Sequence, residues 1–153
     1  MRRMAQSDDI TVEWLNENDK TPLHAHMGLR IVEHGPHTIV TMELSEAVRG
    51  QAEGSVHGGM LATLADMASA VALVGAYDAD SEMTVTTDIH IRYYRQPRAG
   101  PLTAKAELVH KGRRILSCEC AVEDAEGRVL TRSTATYMVV PQHRRDCRGA
   151  ARR

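Results

Sequence analysis

The chain has 153 residues, of which 42% are hydrophobic and 25% are charged, and its formal net charge at pH 7 is -1. These values are typical of one globular domain with a buried core, and the near-neutral charge disfavours nonspecific nucleic-acid binding as the main role. The sequence has three cysteines without paired spacing, no apolar leader after Met1 and no apolar run of transmembrane length. These features predict a cytoplasmic protein that does not enter a membrane.

The first 23 residues are polar and acidic and are expected to form an N-terminal extension, with a short helix from about Ile10 to Glu17. His24 and His26, at alternate positions directly after it, could be interpreted as a metal-binding pair. No third or fourth ligand with a recognisable spacing accompanies them, so we expect neither a metal nor a cofactor.

Two strands are predicted next, over 28–33 and 38–44, with a Gly-Pro turn between them. Every second residue of the second run is apolar, which indicates a strand with one buried face. A loop of small and charged residues follows over 45–55.

The segment from Gly58 to about Gly75 is predicted to be a long helix, because after Gly59 it lacks glycine and proline and is rich in Ala, Leu, Met and Val. Its apolar residues point in every direction, which predicts burial on most of its circumference. Asp66 is the one charged residue in this segment. A lone carboxylate there is either paired with an arginine of a neighbouring strand or faces a functional cleft.

The start of this helix has two interpretations. Gly58 and Gly59 either form a simple tight turn or let a ligand approach the backbone, where free N–H groups attract developing negative charge. His57 alone is more typical of a local hydrogen-bonding group than of a catalyst. His57 and Asp66 are nine residues apart, about 100° each, so they lie on opposite sides of the helix axis. A site that uses both is more easily built from two chains, which predicts a symmetric dimer with two shared sites.

The run Gly54-Ser55-Val56-His57-Gly58-Gly59, followed by Asp66, resembles the motif of the hotdog-fold acyl-CoA thioesterases, and most of all their phenylacetic-acid-pathway group. The similarity extends from about His26 to Val140. It implies an α+β fold in which a curved antiparallel sheet of five to six strands wraps a long central helix. It also implies hydrolysis of medium-chain or aryl acyl-CoA to the free acid and coenzyme A, without a metal or cofactor.

The resemblance implies roles for four catalytic positions. Asp66 corresponds to the helix carboxylate that acts as nucleophile or general base. Gly58 corresponds to the glycine whose backbone N–H polarises the thioester carbonyl, and His57 supports that turn. Gln51 stands where many relatives have an asparagine that places the attacking water or the carbonyl. Gly59 and Thr86 correspond to further substrate-contacting positions.

Four strand candidates follow the helix, and the first of them alternates strictly from Val85 to Tyr93. Short connections at 111–112 and 126–127 imply an antiparallel meander that curves around the helix. Cys118 and Cys120 lie on the same face of one strand, where small-hydrophobe packing is expected.

A group of cations occupies the hairpin near residue 112. These cations either form a solvated tip or bind the phosphates of coenzyme A. The resemblance favours the phosphate role for Lys111, Arg113 and Arg114.

The domain is therefore expected to span 24–141, followed by a basic, disordered tail over 142–153. The expected partners are an acyl-CoA substrate and further copies of the chain, in a homodimer or in a tetramer made of two dimers. The competing function is a non-catalytic acyl-CoA sensor or carrier, which would have no reason to tolerate a buried Asp66. A hotdog dehydratase is a third possibility, but its catalytic histidine is arranged differently from His57-Gly58-Gly59.

Overall fold

The computed structural model describes residues 10–142; the rest of the N-terminal extension and the predicted tail from residue 143 onward lie outside the described residues. Three helices and six strands make up most of this part of the chain. They are α1 (Val12–Asn18), α2 (Pro22–Met27), β1 (Leu29–Glu33), β2 (Thr38–Met42), α3 (Gly58–Ala72), β3 (Glu82–Tyr93), β4 (Leu102–Lys111), β5 (Ile115–Glu123) and β6 (Val129–Pro141). A short 3-10 helix, Glu46–Val48, interrupts the loop before α3.

The helix expected near Ile10 is present as α1, where the Thr11 side chain caps the helix by accepting a hydrogen bond from the Trp14 N–H. Helix α2 was not expected from the sequence. Pro22 in its first turn and Gly28 at its C-cap, with φ of 66°, are the local signals that define it. His24 lies in α2, and its Nδ1 is 2.9 Å from a carboxylate oxygen of Asp19.

The six strands form one antiparallel sheet in the order β1-β2-β4-β5-β6-β3. Strands β4, β5 and β6 form the predicted meander, but β3 does not join it through β4. Instead, β3 pairs along its whole length with β6 and is an edge strand. The reason is the connection over 94–101, which is too long for a tight hairpin and carries the chain from the edge of the sheet to β4.

Helix α3 packs against β2, β4 and β5 and ends at Ala72, three residues before the predicted end. The chain then turns through Gly75, whose φ of 87° suits a glycine. The face toward the sheet is fully buried, but the predicted burial on most of the circumference is only partly correct, because the sheet covers one side of the helix. An accessible line remains along the other side, and it consists of Gly59, Ala62, Thr63, Asp66 and Ala70.

The core contains aliphatic side chains, methionines and alanines, together with the fully buried Tyr137. Cys118 and Cys120 point inward, as predicted, and burial raises the pKa of their thiols to about 11 and about 12. Both therefore stay protonated at neutral pH and act as small apolar groups. None of the helices between residues 10 and 142 has the length and apolar character that crossing a bilayer requires.

Candidate active site

The loop before α3 is folded back on itself, which fixes where the helix begins. The His57 N–H donates to the Val48 carbonyl at 3.0 Å, and the Gly50 N–H donates to the Ser55 carbonyl at 2.9 Å. Arg49 and Val56 also form an isolated antiparallel bridge. The two ends of the loop are thus joined by backbone hydrogen bonds, and the helix entry is held in one position.

His57 is the N-cap of α3. Its Nδ1 accepts a hydrogen bond from the Gly59 N–H at 3.0 Å, so the ring is used at the helix start and does not reach toward the middle of the helix. A Cβ at Gly59 would lie 3.0 Å from Nδ1, so a side chain there would press on this cap. The Gly58 N–H has no acceptor among residues 10–142. It remains available at the positive end of the helix dipole.

Two side chains from the end of β3 and the following loop brace this turn. The Gln96 Oε1 accepts from the Val56 N–H at 2.9 Å, and the Tyr93 hydroxyl donates to the Gly58 carbonyl at 3.1 Å. Sequence reasoning missed both residues, because nothing in the local pattern of the strand or the loop indicates a contact 35 or 40 residues away.

Asp66 lies eight residues further along α3, half-buried, and two hydroxyls converge on one of its carboxylate oxygens. The Tyr137 hydroxyl is 2.8 Å from Oδ1 and the Thr86 hydroxyl donates to the same atom at 3.1 Å. Oδ2 has no donor among the residues that the structure describes. Asp66 takes part in no ion pair within residues 10–142, so the arginine partner considered from the sequence is not found there.

Tyr137 was not identified from the sequence. It is 1% exposed, on β6, and its hydroxyl also lies 3.0 Å from the backbone carbonyl of Asp66. Burial, and then the negative charge and hydrogen bond of Asp66, raise the pKa of Tyr137 well above its ordinary value, so the hydroxyl remains a donor. The sequence did contain one signal for this contact. Tyr137 alternates in phase with the inward-facing apolar residues of its strand, and a buried tyrosine hydroxyl requires a hydrogen-bond partner.

The predicted catalytic residues therefore fall into two groups within one chain. His57, Gly58 and Gly59 meet at the helix entry, while Asp66 and Thr86 meet near its middle. Eight residues of helix separate Gly58 from Asp66, which corresponds to about 12 Å along the axis. One thioester carbonyl cannot contact both groups of the same chain.

The remaining predicted residues lie outside both groups. Gln51 is exposed in the loop before α3, and its side chain makes no hydrogen bond within the described range. Lys111 ends β4, and Arg113 and Arg114 are exposed in the turn before β5. Ile115, the next residue, is paired with Met138, the neighbour of Tyr137. The basic hairpin therefore lies at the end of the sheet that holds Asp66.

No group of three or more His, Cys, Asp or Glu side chains between residues 10 and 142 is arranged to hold a metal ion. The side chain of Asp66 instead accepts hydrogen bonds from two hydroxyl groups, and such bonds orient a carboxylate.

Comparisons with known proteins identify relatives of this chain. The family model described as "Thioesterase superfamily" matches residues 53–131. A putative esterase of Deinococcus radiodurans is 31% identical over 121 residues, which are 77% of this chain and 74% of that protein. A protein of Listeria monocytogenes named 1,4-dihydroxy-2-naphthoyl-CoA hydrolase is 29% identical over 119 residues, covering 76% of this chain and 94% of its own.

Solved structures have the same architecture. A thioesterase from Haemophilus influenzae superposes with a TM-score of 0.80 at 25% identity, over 89% of this chain and 96% of that one. A mutant thioesterase from Pseudomonas aeruginosa superposes with a TM-score of 0.83 at 22% identity, over 90% and 99% of the two chains, which is a likeness of fold.

Proposed function

The chain belongs to the thioesterase superfamily, has its hotdog fold and is a thioester hydrolase, and from this premise we propose that it cleaves medium-chain or aryl acyl-CoA to the free acid and coenzyme A. The observation that carries the proposal is the Asp66 carboxylate, which two hydroxyls hold by one oxygen while the other is left available. The name of the Listeria relative supports an aryl acyl group, since it describes the hydrolysis of an aromatic acyl-CoA.

The proposed site is shared between two chains, which meet at the edge strand β3. This strand is 12 residues long and its outer edge has no partner among the described strands. A long unpaired edge of this kind is a template for pairing with a second chain. Thr86, which binds Asp66, lies on β3, so the carboxylate is next to the edge where the second copy would pair.

An antiparallel pairing of two β3 strands brings the two halves of the site together. Tyr93 at one end of β3 binds Gly58, and Thr86 toward the other end binds Asp66. A twofold axis through β3 between these residues places the Tyr93 end of one strand beside the Thr86 end of the other. The Gly58 turn of one chain then lies next to the Asp66 carboxylate of its partner, which removes the separation of about 12 Å within one chain.

The chemistry requires only these groups. The Gly58 N–H donates to the carbonyl oxygen as the tetrahedral oxyanion develops, a contribution of about 3–4 kcal/mol for one preorganised donor. The free Oδ2 of Asp66 either attacks the carbonyl carbon or takes a proton from the attacking water. The thiolate of coenzyme A departs without a strong acid, because its conjugate thiol is itself fairly acidic.

The remaining predicted residues receive roles in substrate binding. The accessible line of small residues on α3, from Gly59 past Thr63 to Asp66, leaves room for a narrow chain along the helix. Lys111, Arg113 and Arg114 lie at the Asp66 end of the sheet and are proposed to bind the phosphates of coenzyme A. Gln51 is proposed to place the carbonyl or the water.

The proposal is tested by steady-state hydrolysis of an acyl-CoA panel, from acetyl to medium-chain and aryl thioesters, with release of the free thiol as the readout. We expect kcat/KM for the preferred medium-chain or aryl substrate to exceed that for acetyl-CoA by about tenfold or more, since each buried methylene contributes about 0.8 kcal/mol. A folded protein that cleaves no member of the panel above the uncatalysed rate would refute it.

A first prediction concerns the hydroxyl that holds Asp66. Tyr137→Phe keeps the buried ring and removes the donor, so kcat should fall by about tenfold while KM changes little, as expected for loss of one hydrogen bond to a charged group. Steady-state hydrolysis of the preferred acyl-CoA by the wild type and the variant gives both constants.

The exposed Tyr94→Phe is the matched control and should leave both quantities unchanged. Thr86→Val, which removes the second donor to the same oxygen, should also lower kcat. A Tyr137→Phe protein with lowered thermal stability and the wild-type kcat would show that Tyr137 is structural only.

A further inference from the structure

The loop over 94–101, which joins β3 to β4, is attached near both of its ends to β6 and to the turn before β6. At its start, the Tyr94 N–H donates to the Leu130 carbonyl at 2.8 Å. Near its other end, the Arg98 N–H donates to Oδ2 of Asp124 at 3.2 Å. One residue later on each side, a backbone hydrogen bond of 3.2 Å joins the turn to the loop. The loop is therefore held at a fixed position against the end of the sheet.

Asp124 is the centre of this attachment. The residue is 3% exposed, and its Oδ1 accepts from the Glu126 and Arg128 N–H groups at 3.1 and 3.0 Å. Its Oδ2 accepts from the Arg98 N–H and, at 2.6 Å, from the Arg128 guanidinium. Burial alone would raise the pKa of Asp124, but these hydrogen bonds and the Arg128 charge lower it to about 2. The carboxylate is thus ionised at neutral pH, with two donors on each oxygen.

Gln96 lies between the two attachments and reaches the turn before α3, where its Oε1 accepts from the Val56 N–H at 2.9 Å. The buried Pro97 follows it and restricts the backbone of Gln96 to an extended conformation. The second contact with this turn, from the Tyr93 hydroxyl to the Gly58 carbonyl, is held independently, because Tyr93 is paired with β6 inside the sheet. Gln96 is therefore the contact that depends on the loop.

The Val56 hydrogen bond controls where the Gly58 N–H points. Only His57 separates these two residues, so a rotation of the Val56 peptide is passed directly to the peptide that carries the Gly58 N–H. Gln96 is the one acceptor of the Val56 N–H among residues 10–142. An oxyanion donor contributes fully only when it is held within about 0.5 Å of the productive position.

We propose that Asp124 is a positioning residue for thioester hydrolysis, because it fixes the loop that carries Gln96 and Gln96 fixes the turn that presents the Gly58 N–H. The inference rests on the role proposed above for Gly58 as the oxyanion donor. Asp124 touches no reacting group, and its effect reaches the site through Gln96. Its loss should lower kcat more than it changes KM, since an oxyanion donor acts most strongly in the transition state.

The test compares Gln96→Met, Asp124→Asn and the double variant by steady-state acyl-CoA hydrolysis and by melting temperature. Methionine has about the length of glutamine but cannot replace the acceptor of the Val56 N–H. We expect kcat to fall about fivefold, the effect of one hydrogen bond, with KM within about twofold of the wild type. Asparagine has one side-chain oxygen and cannot serve all four donors of Asp124, so kcat should fall by a similar factor and the melting temperature should fall as well.

The double variant separates positioning from stability. If Asp124 acts on the reaction through Gln96, adding Asp124→Asn to Gln96→Met should change kcat by less than about twofold while it still lowers the melting temperature. A merely structural role would lower kcat by the same factor in both backgrounds. Asp78→Asn is the control, since Asp78 also accepts a backbone N–H and a hydroxyl, but in the turn before β3. It should leave kcat unchanged.

Hydrogen exchange of residues 55–59, measured by mass spectrometry, gives a readout that does not depend on activity. Gln96→Met and Asp124→Asn should both speed exchange in this segment, because the Val56 N–H loses its fixed acceptor. A wild type that cleaves no acyl-CoA would refute the proposed function, while exchange would still decide whether Asp124 holds the turn.

Two results with an active wild type would overturn the inference itself. One is a Gln96→Met protein with unchanged exchange and unchanged kcat, which decides the matter whether or not Asp124→Asn folds. The other is a double variant in which the two losses of kcat multiply.

Discussion

Asp66→Asn is expected to lower kcat for the preferred acyl-CoA by about 10²-fold or more, the effect of removing a positioned acid–base or nucleophilic group. Asparagine has nearly the same shape, and its carbonyl oxygen can still accept from Tyr137 and Thr86. It can neither attack the thioester nor take a proton. Far-ultraviolet circular dichroism and the melting temperature should therefore remain close to those of the wild type.

The matched control is Asp80→Asn, which neutralises an exposed carboxylate in the turn before β3. It should hydrolyse acyl-CoA at the wild-type rate. Asp66→Ala should be at least as defective as Asp66→Asn, because it also leaves the Tyr137 hydroxyl without its carboxylate partner. Equal turnover by wild type and Asp66→Asn would remove the carboxylate from the mechanism.

Gly58→Pro should lower kcat by about 10²–10³-fold, as observed generally when one oxyanion-hole donor is lost. Proline has no N–H, so this substitution deletes the donor that Gly58 is proposed to supply. The local backbone accommodates it. Gly58 is the first residue of α3, the position where proline is favoured, and His57 before it already has the extended φ of -63° and ψ of 129° that a following proline requires.

Gly58→Ala separates the loss of the donor from the addition of bulk. A Cβ at this position meets the Tyr93 ring at 3.5 Å, an ordinary van der Waals contact, and the N–H is retained. We expect Gly58→Ala to keep activity within about tenfold of the wild type, since the oxyanion donor remains. If alanine and proline were equally damaging, the effect would be steric and the N–H would have no special role.

The sequence predicted those parts of the fold that depend on local periodicity. The apolar composition after Gly59 predicted α3, and the alternation from Val85 to Tyr93 predicted most of β3. The position of β3 in the sheet was not predictable, because the loop over 94–101 places no constraint on which neighbour the strand finds. The helix also ended earlier than composition alone indicated, at a turn defined by Gly75.

For the site, the motif around His57 and the isolated charge of Asp66 were visible in the sequence. Their supporting contacts were not, because Tyr137 is 71 residues from Asp66 and its alignment depends on the register of β6 against β3 and β5. The bracing of Val56 by Gln96 was hidden for the same reason. Such contacts depend on pairing between strands that are far apart in the sequence. The spacing of residues within one segment does not reveal that pairing.

The most direct test of the shared site is the activity of a mixed dimer. Asp66→Asn and Gly58→Pro chains with different affinity tags can be coexpressed, and dimers that contain one of each can be isolated by two successive affinity steps. If Asp66 of one chain works with Gly58 of its partner, one site per mixed dimer is intact, and activity should return to about half of the wild-type value while both parent proteins stay nearly inactive. If each site lay within a single chain, both sites would carry a defect, and a mixed dimer no more active than its parents would contradict the account.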